Sequence, residues 1–86
     1  MNYAVTWKPQ AEKVLATIWN DAEDRRAVTA ASNEIDSQLG QKPSTAGEGR
    51  YGDLRILTVP PLSVYFDVSE DGCRVVVWAV WVSDRS

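Results

Sequence analysis

Arg50 and Arg55 stand among glycines in the string Gly47-Glu48-Gly49-Arg50-Tyr51-Gly52-Asp53-Leu54-Arg55. Glycine lets a ligand come close to the backbone. A guanidinium stays protonated, so the pair suits stabilisation of an anion and not removal of a proton. Tyr51 and Tyr65 are the nearby groups with a proton to release, and an unperturbed phenol titrates near ~10. Either would need strong tuning by arginine to act at neutral pH. The C-terminal segment Val82-Ser83-Asp84-Arg85-Ser86 adds one more cation, Arg85. The chain has no histidine and a single cysteine, so it offers no set of soft ligands for zinc or another transition metal. No cofactor is expected.

These residues need elements to hold them. Leu62, Val64, Phe66 and Val68 alternate with Ser63, Tyr65 and Asp67, the period of a strand with one apolar face. Pro60-Pro61 separates this run from Leu54–Val59 and marks a turn, since neither proline can donate to a ladder. Tyr3, Val5 and Trp7 alternate in the same way and predict a first strand over about 2–8. Pro9 suits the first turn of a helix, and Ala11, Val14, Leu15, Ile18 and Trp19 fall on one helical face. Asn20-Asp21 predicts a break, with Asp21 capping a second helix over about 21–39 that carries Val28, Ala31, Ile35 and Leu39 and stops at Gly40. Gln41 to Arg50 reads as a polar loop. Ser69-Glu70-Asp71-Gly72 reads as a hairpin turn before a last strand, Cys73–Val82, whose apolar residues on both faces predict cover from both sides.

The expected fold is α+β: a helical hairpin packed on one face of a four-stranded antiparallel sheet, in the order β-α-α-β-β-β. The expected core is Leu15, Ile18, Val28, Ile35, Val64, Phe66 and Val77. Trp7 and Trp19 should seal the space between helices and sheet, and one of Trp78 and Trp81 should point into it, leaving the other for a partner protein.

Length and charge set further bounds. The 86 residues make one domain, 1–86, with 44% hydrophobic content and four tryptophans, a composition of globular chains and not of disordered ones. No run approaches the ~20 apolar residues that span a bilayer, and no secretory leader is legible, so a cytoplasmic protein with no membrane partner is expected. Cys73 excludes an internal disulfide and reads as a small buried thiol. The net charge is −3, and between Ser44 and Ser86 four arginines face six acids. That balance gives no broad basic footprint for nucleic acid. Glu23-Asp24-Arg25-Arg26 reads as a solvated helix start.

The string Gly-Glu-x-Arg-x-Gly-x-Leu-Arg-x-Leu from Gly47, the short turn, and Leu-x-Val-x-Phe-x-Val from Leu62 together resemble the RelE/ParE superfamily, the toxins of bacterial type II toxin–antitoxin systems. The opening Tyr3-Ala4-Val5-Thr6-Trp7, with Pro9, Ala11, Leu15, Ile18 and Trp19, is similar to that family too. The resemblance implies a toxin neutralised by a cognate antitoxin, with growth arrest and plasmid stabilization as the associated biology. In one branch the target is DNA gyrase and the activity needs no catalytic side chains. In the other the protein is a metal-independent endonuclease that cuts mRNA on the ribosome by attack of a 2′-hydroxyl on the adjacent phosphate. For that chemistry the chain's own equipment is Arg50, Arg55, Tyr51, Tyr65 and Arg85, of which Arg50, Arg55, Tyr65 and Arg85 are the candidate catalytic residues. Arg55 matches the arginine that the resemblance places in Gly-x-Leu-Arg. Arg55 can equally be structural, paired with a carboxylate such as Asp67 or Glu48. Many members carry arginine where this chain has Ser63, and their catalytic lysines have no counterpart, since no lysine follows Lys42. A member that keeps only antitoxin binding is the remaining alternative.

Overall fold

The structure is a computed structural model. It describes residues 2–43, 45–51, 54–69 and 71–83, apart from the side chains of residues 50 and 51. In chain order the elements are β1 (Ala4–Trp7), α1 (Pro9–Asp21), α2 (Arg25–Gln41), β2 (Glu48–Tyr51), β3 (Leu54–Val59), β4 (Leu62–Ser69) and β5 (Arg74–Val82). The strands form a single sheet in the order β1-β5-β4-β3-β2. Both helices lie on one face of it. No helix among the described residues is long and apolar enough to cross a membrane.

The helices follow from local chemistry. Pro9 occupies the first turn of α1, where its missing N–H is no loss. The cap of α2 is Asp24 rather than Asp21: its carboxylate accepts the Ala27 N–H at 3.1 Å. The helix therefore starts at Arg25, four residues later than expected, and α1 keeps Asp21 as its last residue. Arg25 ties the two ends together by donating from Nε to the Trp19 carbonyl at 3.1 Å and from Nη2 to the Asn20 carbonyl at 3.0 Å. Those carbonyls belong to the orphan acceptors of the α1 terminus. Along α2 the buried stripe is Val28, Ala31, Ile35 and Leu39. The helix runs one residue past Gly40, to Gln41.

The sheet differs from expectation in two ways. It has five strands, and one pair is parallel. After the helical hairpin, four strands run as a meander from β2 to β5, which brings β5 beside β1 in the same direction, Val5 opposite Val75 and Trp7 opposite Val77. The added strand, β2, comes from the segment read as polar loop. Its Glu-Gly-Arg-Tyr sequence has no alternation, and it is held by pairing to β3, Glu48 opposite Ile56 and Tyr51 opposite Leu54. A four-residue polar edge is how sheets end without inviting further strands.

The core sits between helices and sheet. Ile35, Leu39, Leu62, Val64, Phe66, Val75 and Val77 are fully buried, joined by Val28, Ala31, Leu57 and Val80. Leu15 and Ile18 pack against this cluster half-buried. Cys73, expected to open the last strand as a buried thiol, sits instead in the turn before β5 with φ 50° and is half-buried. Its carbonyl accepts the Ala4 N–H at 2.9 Å, fixing where β1 begins to pair.

Candidate functional site

The face of the sheet turned away from the helices is the surface the fold leaves open, and cross-strand pairing says what stands on it. Residues directly opposite one another share a face. Phe66 stands opposite Val77, and Val64 opposite Val80, all buried against the helices. Tyr65, opposite Ile56 and Ala79, and Asp67, opposite Leu54 and Val76, therefore face the other way. So does Ser63, opposite Thr58 and Trp81, with its hydroxyl 2.8 Å from that of Thr58. The Tyr65 and Trp81 rings lie 5.0 Å apart at 51°, within the range of favourable tilted aromatic pairs.

A bulge interrupts the ladder between Tyr65 and Phe66: Tyr65 is opposite Ala79, Phe66 is opposite Val77, and Trp78 is the extra residue. Bulges re-aim side chains. Here the indole is turned out, 48% exposed, and donates from Nε1 to Asp67 Oδ2 at 2.8 Å. Lys8, just beyond β1, places Nζ 4.4 Å from the centroid of the same ring, a cation–π contact. Around Trp78 the open face thus holds an aromatic surface made by Tyr65, Trp78 and Trp81 with Lys8 and Asp67 beside it. Glu48, opposite Ile56, and Arg74, opposite Ser69, stand on the same face.

Arg55 is elsewhere. It stands opposite Phe66, on the helix side. Its Nε donates to the Ala46 carbonyl at 3.1 Å and its Nη2 to the Gly47 carbonyl at 3.1 Å. The guanidinium closes the loop that leads into β2.

No protein-family model matches the sequence, and no curated protein matches it either. Solved structures do match. A chain of the toxin–antitoxin complex RelBE2 from Mycobacterium tuberculosis aligns with a TM-score of 0.78 at 16% identity, over 98% of this chain and 95% of that one. A chain of the chromosomal ParDE toxin–antitoxin system from P. aeruginosa aligns with a TM-score of 0.72 at 18% identity, over 95% and 97%. The isolated E. coli RelE toxin aligns with a TM-score of 0.69 at 16% identity, over 98% and 87%. The chain has a RelE/ParE-like fold.

Within this RelE/ParE-like fold the two candidate catalytic residues whose side chains are described, Arg55 and Tyr65, are not brought together. Arg55 and Tyr65 project from opposite faces of neighbouring strands. Arg50 lies on β2, but its side chain, like Tyr51's, falls outside the described residues, as does Arg85. The suggested pairing of Arg55 with Asp67 gives way to backbone carbonyls for the arginine and the Trp78 indole for the carboxylate. Ser63 is 2% exposed.

The tryptophans also depart from expectation. Trp19 is 41% exposed, donating from Nε1 to Thr29 Oγ1 at 3.1 Å, because its position at the hairpin end faces α2 and solvent rather than the sheet. Trp7 does pack on the core while donating to Asp36 Oδ1 at 2.8 Å. Neither Trp78 nor Trp81 enters the core. Strict alternation from Val75 and Val77 would turn Trp81 inward, but the bulge shifts the inward set to Val80. The apolar second face of β5 is consequently an open surface and not a covered one. Lys8, Trp78 and Asp67 escaped the sequence reading as a group. Their adjacency depends on the parallel β1–β5 register and on the bulge, and neither has a local signal.

Proposed function

We propose that this chain is the toxin component of a type II toxin–antitoxin system, neutralised by a cognate antitoxin, that acts in the cytoplasm by binding a macromolecular target such as DNA gyrase. The reading is supported by the fold shared with toxins of RelBE and ParDE systems. The observation that carries the binding mode over a cleaving one is the orientation of Arg55. Committed to two carbonyls on the helix side, its guanidinium points away from the face on which Tyr65 stands. Loss of a positioned acid or base lowers such a rate by roughly 10²–10⁴ for each role. The open aromatic face suits contact with a protein, where Trp and Tyr are enriched.

The second reading, a ribosome-dependent mRNA endonuclease, draws on the same surface: Tyr65, Trp78 and Trp81 are available to stack on bases, a contribution of ~1–3 kcal/mol each, with Lys8 as the nearby cation. A net charge of −3 works against it by giving little phosphate attraction.

Expression of the chain under an inducible promoter is expected to arrest growth, and co-expression of the protein encoded in the adjacent reading frame to restore it. Growth that continues unchanged while the two proteins still form a complex would make this a member retaining only antitoxin binding. Continued growth without complex formation would defeat the proposal.

A further inference from the structure

We infer that the groove between the α1–α2 link and the β3–β4 turn docks a partner segment that carries apolar side chains beside lysine or arginine. The inference rests on the partner-binding reading and names the chemistry of one contact. The groove encloses about 650 Å³, a volume in the range of specific binding pockets. Its apolar lining comes from Ile18, Ala22, Val28, Pro60, Pro61 and Val82. Val82 is 50% exposed, and the two prolines make one wall stiff, so the surface is largely pre-formed.

The charge around the groove points to the occupant. Asp21, Glu23 and Asp24 line it together with the apolar residues, and no lysine or arginine is among its described lining. Asp24 has a structural duty as the α2 cap. Asp21 has none of that kind: it is the last residue of α1, which has no basic residue in its final turn, and a carboxylate there opposes the helix dipole. The nearest cations are engaged elsewhere. Arg25 lies 4.8 Å over the Trp19 ring while donating to the Trp19 and Asn20 carbonyls, and with Arg26 it lines a separate groove beside Thr29 and Asn33. A basic residue on the partner would meet both carboxylates at Asp21 and Glu23 and relieve the unfavourable helix end, while its apolar neighbours cover Ile18 and Val82.

The test uses two synthetic amphipathic helical peptides of equal length and equal leucine content, one with lysine and one with glutamate at every polar position. Each is titrated into the isotopically labelled full chain and followed by amide chemical shifts. The lysine peptide is expected to shift Ile18, Ala22 and Val82 and to bind roughly tenfold more tightly than the glutamate peptide, the combined effect of a few exposed charge pairs. The double variant Asp21→Lys/Glu23→Lys, altered at two exposed positions, should invert that preference. The milder Asp21→Asn/Glu23→Gln should bring the two peptides level. Equal binding of both peptides to the wild type, shifts confined to Trp78 and Trp81, or a preference untouched by the charge swap would overturn the inference. If the lysine peptide docks as described but the wild-type chain neither arrests growth nor binds the neighbouring protein, the functional proposal fails and the groove's chemistry stands. If growth arrest and rescue persist unchanged in both double variants and the peptides do not discriminate, the groove inference fails alone.

Discussion

Phe66→Ala is expected to destabilise the domain by ~3–5 kcal/mol, the cost of removing a large aromatic side chain from a packed interior. Phe66 has no exposed surface and stands at the centre of the sheet, opposite Arg55 on one side and Val77 on the other. It also sits at the bulge that turns Trp78 outward, so the cavity opens where the ladder is already irregular. A domain of this size has a total stability of only about 5–10 kcal/mol, and the variant should be largely unfolded at moderate denaturant. Equilibrium denaturation followed by tryptophan fluorescence measures the shift. A cost under ~1 kcal/mol would mean that Phe66 is not in the core.

Gly47→Ala is the second large effect. Gly47 has φ 66°, and a Cβ there would run into the Ile56 carbonyl oxygen and lie 3.0 Å from Leu57 Cα. Both obstacles are backbone and cannot rotate aside. The left-handed conformation alone costs an L-residue ~1–2 kcal/mol. Moving the loop also weakens the hydrogen bonds from Arg55 to the Ala46 and Gly47 carbonyls and the pairing of Glu48 with Ile56. A total loss of roughly 3 kcal/mol is expected. The control is Gly40→Ala. Gly40 lies in α2, where a Cβ would meet only the Tyr3 carbonyl oxygen at 3.7 Å and Val5 Cγ2 at 4.0 Å. Ordinary contact and a better helix former predict stabilisation by ~0.5–1 kcal/mol. Thermal denaturation of the two variants side by side checks both signs, and opposite signs are the expected result.

Most of the scaffold was legible because its signals are local. The alternation of Leu62, Val64 and Phe66, the proline turn, Pro9 at a helix start and the Val28–Ala31–Ile35–Leu39 stripe each announce one element and its buried face. What escaped was set by pairing between distant segments. The strand β2 has no pattern of its own and exists because β3 offers an edge. The bulge at Trp78 reverses which residues of β5 face inward, and alternation read along β5 alone cannot reveal it. Asp24 displaced Asp21 as the cap because both are good caps three residues apart. For the site, the residue types were readable and their convergence was not. Arg55 and Tyr65 sit on neighbouring strands, but only the register, Arg55 opposite Phe66, shows that they face opposite ways.

The proposed binding role and its cleaving alternative differ in what they do to mRNA, so the decisive measurement is on the activity itself. The purified chain is added to ribosomes programmed with a defined mRNA, and the 5′ and 3′ ends are mapped at nucleotide resolution. A target-binding toxin with Arg55 committed to the Ala46 and Gly47 carbonyls predicts no ends beyond those seen without protein. Efficient cleavage by the wild-type chain that is lost in Tyr65→Phe, with the fold intact, would contradict it and make the open sheet face a ribonuclease site.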